Sequence, residues 1–260
     1  MRAARAAVSA VGAIQELKSA REKAKSKIHQ RRTRNTAIRI KVISMGDAGV
    51  GKSCLIKRYC EEKFVQKYIG TIGVDYGVKC VRLGGVDVRV NLWDLAGGNE
   101  YFEVRNEFYK DAQGCMLVYD VNNRASFAAL DAWIDESAKY GAGSAVVVVA
   151  GNKTDVGRRA VSENEGRAWA QANGFLFFEV SAAHGAWVKA MFAAIFQRVL
   201  ETLPNVTEAV LSGAQQMVAA ENAAAKADYD EASADVYEGG KTTSPAPLQS
   251  RSRSSALYNR

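Results

Sequence analysis

One run of eight residues constrains this chain more than any other: Gly46-Asp-Ala-Gly-Val-Gly-Lys-Ser53, directly after the β-rich segment Ile38–Met45. The residues that follow, Lys52–Cys60, have helical character. Glycines at 46, 49 and 51 let the backbone between strand and helix fold so that successive N–H groups point into one concavity. A helix opening at Lys52 adds the positive end of its dipole there, and together these favour phosphate. Lys52 supplies a cation for β- and γ-phosphates, and Ser53 a hydroxyl for Mg²⁺. The spacing G-x-x-x-x-G-K-S is met at every specified position. Asp47, Ala48, Gly49, Val50, Gly51, Lys52, Ser53 and Cys54 are therefore expected to surround a nucleoside triphosphate. The loop alone does not say which base.

Charge is distributed unevenly around this loop. The 260 residues carry 35 Lys or Arg against 28 Asp or Glu, a formal net of +7. Residues 1–41 hold 12 of those bases and two acids, Glu16 and Glu22, which leaves 23 bases against 26 acids in the rest. The basic character thus belongs to an arm, densest over Lys23–Arg34, whereas a nucleic-acid-binding domain spreads it over a folded face. All three prolines (Pro204, Pro245, Pro247) lie at or beyond position 204, and 18 of the 22 glycines fall between Gly46 and Gly185. Tight turns are therefore concentrated in the middle. These shifts divide the chain into a basic extension over 1–36, helical or disordered, a globular domain over 37–204, and a tail over 205–260. The tail has a helical, Ala-rich pattern over Glu208–Ala234 and then a Ser-, Pro- and Arg-rich end, and is expected to be largely disordered.

Several classes are disfavoured at once. No apolar run, Ala145–Ala150 included, is long enough to cross a bilayer, so no integral membrane segment is expected. Cys54, Cys60, Cys80 and Cys115 form no C-x-x-C pair, which argues against a disulfide scaffold or zinc ribbon and for a reducing compartment. Position 2 is not glycine and the tail holds no cysteine, so no lipid anchor is expected.

The middle alternates strand and helix patterns. Val74–Leu83 and Val86–Trp93 flank Gly84-Gly85, a hairpin signal. Met116–Tyr119, Ala145–Ala150 and Phe175–Val180 are short apolar runs of the kind buried on both faces of a parallel sheet. Helical patterns cover Ala125–Tyr140, Ser162–Asn173 and Gly185–Leu203, with Ser162 and Glu165 spaced as a capping box. The expected class is α/β: a three-layer P-loop NTPase domain with a mostly parallel six-stranded sheet and helices on both faces. Ligands of such sheets sit at the carboxyl ends of the strands.

Asn152-Lys-Thr-Asp155 follows one of those buried strands, about a hundred residues after the phosphate loop. Asp155 there can accept from the ring N–H and exocyclic amine of guanine. Adenine has no donors in those places and would leave the carboxylate unpaired. With both motifs in place, the chain resembles the Ras-superfamily small GTPases, and their Rab branch in particular, over the whole globular domain. That resemblance implies GTP and GDP as ligands with Mg²⁺. It implies that Phe64 packs at the guanine edge, and that Thr71 binds Mg²⁺ and the γ-phosphate. It implies that Asp94 holds Mg²⁺ through water, and that the Gly97 N–H senses the γ-phosphate. Metal ligands are then Ser53, Thr71 and Asp94, and catalytic groups Lys52, Thr71 and Gly97. Asn152, Lys153 and Asp155 face the base, and so does the loop Ser181, Ala182, Ala183, where the Ala182 N–H meets the guanine oxygen. The same family logic makes Val65–Val74 and Asp94–Glu107 two switch segments read by effector proteins, with GTPase-activating and exchange factors as further partners and a monomer as the resting form.

Lys41–Asp47, Ile56–Cys60, Val74–Val78 and Glu103–Asp111 are most similar to the Rab-like group called RBJ or RJL, some members of which append a DnaJ domain. His29 and His184 are the two histidines and neither begins a His-Pro-Asp triad, so a member without that domain is expected. Three departures bear on mechanism. Gly98 stands where most of these GTPases have the glutamine that orients the attacking water, which implies slow intrinsic hydrolysis. Ala48 replaces a glycine or serine of the phosphate loop, and Ala183 lacks the family lysine whose stem lies over the base. Two function classes follow, a cycling GTPase and a GTP-bound scaffold without turnover. The cytoplasm is the expected compartment, with the nucleus or a cilium-associated site as alternatives.

Overall fold

The computed structural model describes residues 37–67 and 69–238, with side chains described as far as Asp230. The basic extension expected over 1–36 and the Ser/Pro/Arg-rich end from Gly239 lie outside the described residues. Six strands form one sheet: β1 (Ile38–Met45), β2 (Val74–Leu83), β3 (Val86–Leu95), β4 (Gly114–Asp120), β5 (Val146–Asn152) and β6 (Leu176–Val180). Their spatial order is β2-β3-β1-β4-β5-β6. Every pairing is parallel except β2 with β3, which the turn at Gly84 and Gly85 joins as an antiparallel hairpin. Both turn glycines have positive φ (54° and 81°), the left-handed pair that a two-residue hairpin loop needs.

Alternation along the inner strands sorts their side chains into two cores. Ile40, Val42, Met116, Val118, Val148 and Ala150 face one side. Ile43, Met45, Cys115, Leu117, Tyr119 and Val149 face the other. Strands buried on both faces explain the unbroken apolar runs in the sequence. The first core is covered by α1 (Lys52–Glu61) and α6 (Val188–Thr202), through Leu55, Ile56, Tyr59, Phe192 and Phe196. The short helix α2 (Phe102–Asn106) follows β3, and the second core is covered by α3 (Arg124–Ala128), α4 (Leu130–Ser137) and α5 (Glu163–Ala172), with Leu130, Trp133 and Ala170 buried. The three-layer α/β architecture expected from sequence is the one observed.

Three local differences have physical causes. The single helix expected over Ala125–Tyr140 is two short helices followed by a wide turn over Ala138–Ala142, which Gly141 ends with a left-handed φ of 100°. The Ser162 side chain caps α5 by accepting from the Glu165 N–H, and the Glu165 carboxylate is shared between the Ser162 backbone N–H of the expected capping box and Arg124 across the surface. The third difference concerns the boundary at 204. The helix α7 runs over Glu208–Glu238, and Val210 and Ala214 are fully buried in the first core, with Leu211 and Met217 packed beside them. The packed unit therefore continues past Pro204, because the Ala-rich helix presents these apolar residues to α6 and the β2–β3 hairpin. Among the described residues no helix is long and apolar enough to cross a membrane.

Candidate functional site

The carboxyl end of β1 runs into the loop Gly46–Gly51, which opens α1. Gly46, Gly49 and Gly51 all have positive φ (127°, 79° and 101°). At Gly46 a Cβ would stand 2.1 Å from the Val118 carbonyl oxygen, and at Gly51 2.3 Å from the Asn152 amide nitrogen. Glycine is thus demanded twice over, by conformation and by close approach. Lys52 is 5% exposed and threads beneath the loop, where its Nζ donates to the carbonyl oxygens of Gly46 (2.7 Å) and Asp47 (2.9 Å). Burial pulls its ammonium down to about 8, against the opposing pull of the Asp94 and Asp47 carboxylates. The cation is held ready but underpartnered, as suits a group that meets phosphate oxygens.

Beside the loop, three oxygen-bearing side chains from three elements meet. Ser53 Oγ lies 2.8 Å from Thr71 Oγ1 and donates to Asp94 Oδ2 at 2.5 Å, while Thr71 Oγ1 reaches the same carboxylate oxygen at 3.2 Å. The other carboxylate oxygen accepts from Ser44 Oγ at 2.9 Å. The antiparallel register brings them together: Asp75 lies opposite Asp94, and the Ala96 N–H donates to the Gly73 carbonyl at 2.9 Å, tying the segment after Thr71 to the end of β3. Two hydroxyls and a carboxylate are hard donors, and they fit Mg²⁺ better than a soft metal. Gly97 comes next along the chain. A Cβ there would stand 2.4 Å from the Ala48 nitrogen and 2.6 Å from the Gly46 oxygen, so only glycine lets this backbone lie on the phosphate loop.

A cleft of ≈ 460 Å³ opens over these groups. Among the expected residues, Ala48, Gly49, Gly51, Lys52, Ser53, Cys54, Phe64, Thr71, Gly97, Asn152, Lys153, Asp155, Ala182 and Ala183 line it. The other four stand behind. Asp47 accepts from the Trp133 indole N–H, the Val50 carbonyl accepts from Asn152 Nδ2, Asp94 backs the two hydroxyls, and Ser181 Oγ donates to Asp155 Oδ1 at 2.6 Å. Lys153 adopts a left-handed φ of 67° and pairs with Asp120 at 2.8 Å. The Ala182 N–H, expected on the base, donates to Asn152 Oδ1 at 3.2 Å. Burial raises the Cys54 thiol, so it stays protonated at neutral pH and is no activated nucleophile.

A glycine-folded phosphate loop, a knot of hard oxygens and an Asn-Lys-x-Asp strand end thus share one cleft. The family model described as Ras family matches residues 41–201, more than half of the chain. The chain belongs to the Ras family. It is a small GTPase domain, and guanine nucleotide, regulators and effectors are the partners that membership implies. Rab-like relatives named DnaJ homolog subfamily C member 27 match closely. The Danio rerio protein is 47% identical over 184 residues, covering 68% of this chain and 67% of its own length. The Homo sapiens protein is 48% identical over 183 residues, with the same coverage. The Mus musculus protein is 49% identical over 175 residues, covering 65% of this chain and 64% of its own length. The chain therefore spans about two thirds of the length of these relatives.

Two arginines near this Ras-family site lie in segments that carry the resemblance but take no role from the sequence. Arg105, 2% exposed, holds the Gly98 carbonyl with Nη1 at 2.7 Å and grips the Glu136 carboxylate through Nε (2.6 Å) and Nη2 (2.8 Å). Tyr109 donates to the same carboxylate at 2.5 Å, and the guanidinium lies 4.5 Å from the Trp133 ring. Burial alone would raise Glu136, but the bonds from Arg105 and Tyr109 outweigh it and hold the carboxyl below its ordinary range. Arg58, on α1, donates to the backbone of the base-side loop. The sequence assigns neither residue a role, because the Glu136 carboxylate that Arg105 grips and the Ala182 and Ala183 carbonyls that Arg58 holds lie far along the chain.

Proposed function

We propose that the chain is a guanine-nucleotide switch that takes Mg²⁺ at Ser53, Thr71 and Asp94 and hydrolyses GTP slowly. The observation that carries this is the meeting of those three side chains beside Lys52, since it joins both switch segments to the phosphate loop. When bound, the metal ion neutralises charge on the phosphate oxygens. The chain's own residues do the rest. Amides of Gly49–Lys52 and the α1 dipole hold the β-phosphate, and Lys52 Nζ exchanges its carbonyl partners for phosphate oxygens. Thr71 and the Gly97 amide hold Val65–Val74 and Asp94–Glu107 against the γ-phosphate, and GDP releases them. Asn152 and Asp155 read the base.

Water supplies the oxygen in hydrolysis, yielding GDP and phosphate. Gly98 has no side chain to orient it, and a Cβ there would meet the Glu100 carboxylate at 2.4 Å, so the space is filled by a group of the phosphate's own charge sign. That observation also favours a second reading, a GTP-bound scaffold with negligible turnover. The nucleotide that co-purifies with the full chain, followed by single-turnover hydrolysis with and without cell extract, separates the two. Bound GDP and turnover support cycling; retained GTP without turnover in extract supports the scaffold. A chain that holds neither nucleotide in Mg²⁺ sinks both.

A further inference from the structure

We propose that Arg58 is a positioning residue for the base, which sets how long a guanine nucleotide stays bound by gripping the backbone of the loop behind it. The proposal rests on the guanine-site assignment above but adds a residue that does not itself line the cleft. All three guanidinium nitrogens of Arg58 donate to backbone carbonyls: Nε to Ala182 at 2.8 Å, Nη2 to Ala183 at 2.5 Å and Nη1 to Glu62 at 3.1 Å. Its Cζ lies 5.9 Å from the centre of the Phe64 ring. A Cβ on Gly185, whose φ is 82°, would meet the Arg58 stem at 3.6 Å, so the turn that ends the loop packs on the same side chain. One residue therefore joins the base-side loop to α1 and to the aromatic expected at the guanine edge.

The grip has a directional consequence. Described peptide bonds are trans, and in a trans peptide the C=O and the next N–H point to opposite edges. With the Ala182 oxygen turned to Arg58, the Ala183 N–H points away from it, and Ala183 lines the cleft. The Ala182 N–H is already given to Asn152. Arg58 thus leaves the Ala183 amide as the donor aimed for a base oxygen. Ala183 has no lysine stem to lie on the base, so the hold on this part of the ligand falls to backbone that Arg58 orients. A lysine would not replace it. Two carbonyls side by side match the planar guanidinium fork, whereas an ammonium is a single point of charge.

Dissociation rates of GDP and of 6-thio-GDP from the full chain test this. The thio analogue keeps the donors that Asp155 would read but carries a weakly accepting sulfur in place of the 6-oxygen. Arg58→Ala is expected to speed GDP release about tenfold, the worth of roughly one hydrogen bond to a base oxygen. Release of 6-thio-GDP should quicken less, and Arg58→Lys should fall between wild type and alanine. Unchanged GDP release, or equal acceleration for both nucleotides, overturns the role of Arg58. Should the alanine variant fail to fold, the lysine variant carries the same comparison. A wild-type chain that holds GDP no better than ADP instead brings down the guanine-site assignment, and this proposal with it.

Discussion

Gly98 is the residue on which the proposal of slow hydrolysis turns. Its backbone, at φ −75° and ψ 144°, is one that any residue adopts. The three atoms nearest an added Cβ all belong to the flexible end of Glu100. Gly98→Gln is therefore expected to fold normally, displace the Glu100 carboxylate and raise single-turnover GTP hydrolysis about 10²-fold, as a positioned group that handles the attacking water does. An unchanged rate would mean that residue 98 is not what limits hydrolysis. Glu136 permits a second test. Its carboxyl sits below the ordinary range in the folded chain. The stability it contributes is complete above the unfolded value of 4.5 and is lost as pH falls through the folded value. Glu136→Gln should cost ~3 kcal/mol near neutral pH, because Arg105 is left buried without its partner charge. It should also flatten the acid limb of a pH–stability curve measured by denaturant unfolding. The phosphate-loop residues could be read from sequence because their chemistry is local. Arg105, Trp133 and Arg58 could not, since each acts on a partner at least tens of residues away or, in the case of Arg58, on a loop that only folding brings to α1.

Elements show the same division. The strands and the long helices follow from periodicity and glycine placement, and the hairpin follows from Gly84-Gly85. What periodicity does not reveal is which helix faces touch. The approach of α7 to the hairpin depends on paired glycines: a Cβ on Gly213 would stand 2.8 Å from the Gly84 nitrogen, and one on Gly84 2.3 Å from the Ala209 oxygen. Those neighbours are backbone and cannot turn aside. Gly213→Val should push α7 off the hairpin at a cost of about 1–3 kcal/mol. A lower thermal midpoint with faster proteolysis beyond Pro204 would show it; an unchanged midpoint would mean that the helix contributes nothing at this contact. Because β3 carries Asp94 and β2 continues the segment after Thr71, α7 is packed against the same hairpin that carries part of the oxygen cluster at Ser53, Thr71 and Asp94.

For the whole molecule, the packed unit extends beyond the family match over 41–201. A chain ended at Pro204 should lose about 2 kcal/mol or more of stability, the worth of one fully buried valine such as Val210, whereas one ended at Asp230 should keep it. Equal unfolding midpoints for the two truncations would return the boundary to 204. By itself the sequence determined the α/β class and marked the glycine-rich loop at Gly46–Ser53 and the Asn152–Asp155 strand end, since each rests on residues adjacent in the chain whose backbone demands are local. Tertiary structure alone decided three things. It placed Ser53, Thr71 and Asp94 around one point, it made α7 part of the core, and it set Arg58 on the carbonyls of a remote loop and Arg105 on the remote Glu136 carboxylate. These depend on strand register and on helix approach distance, which are properties of the packed chain and leave no local pattern along it.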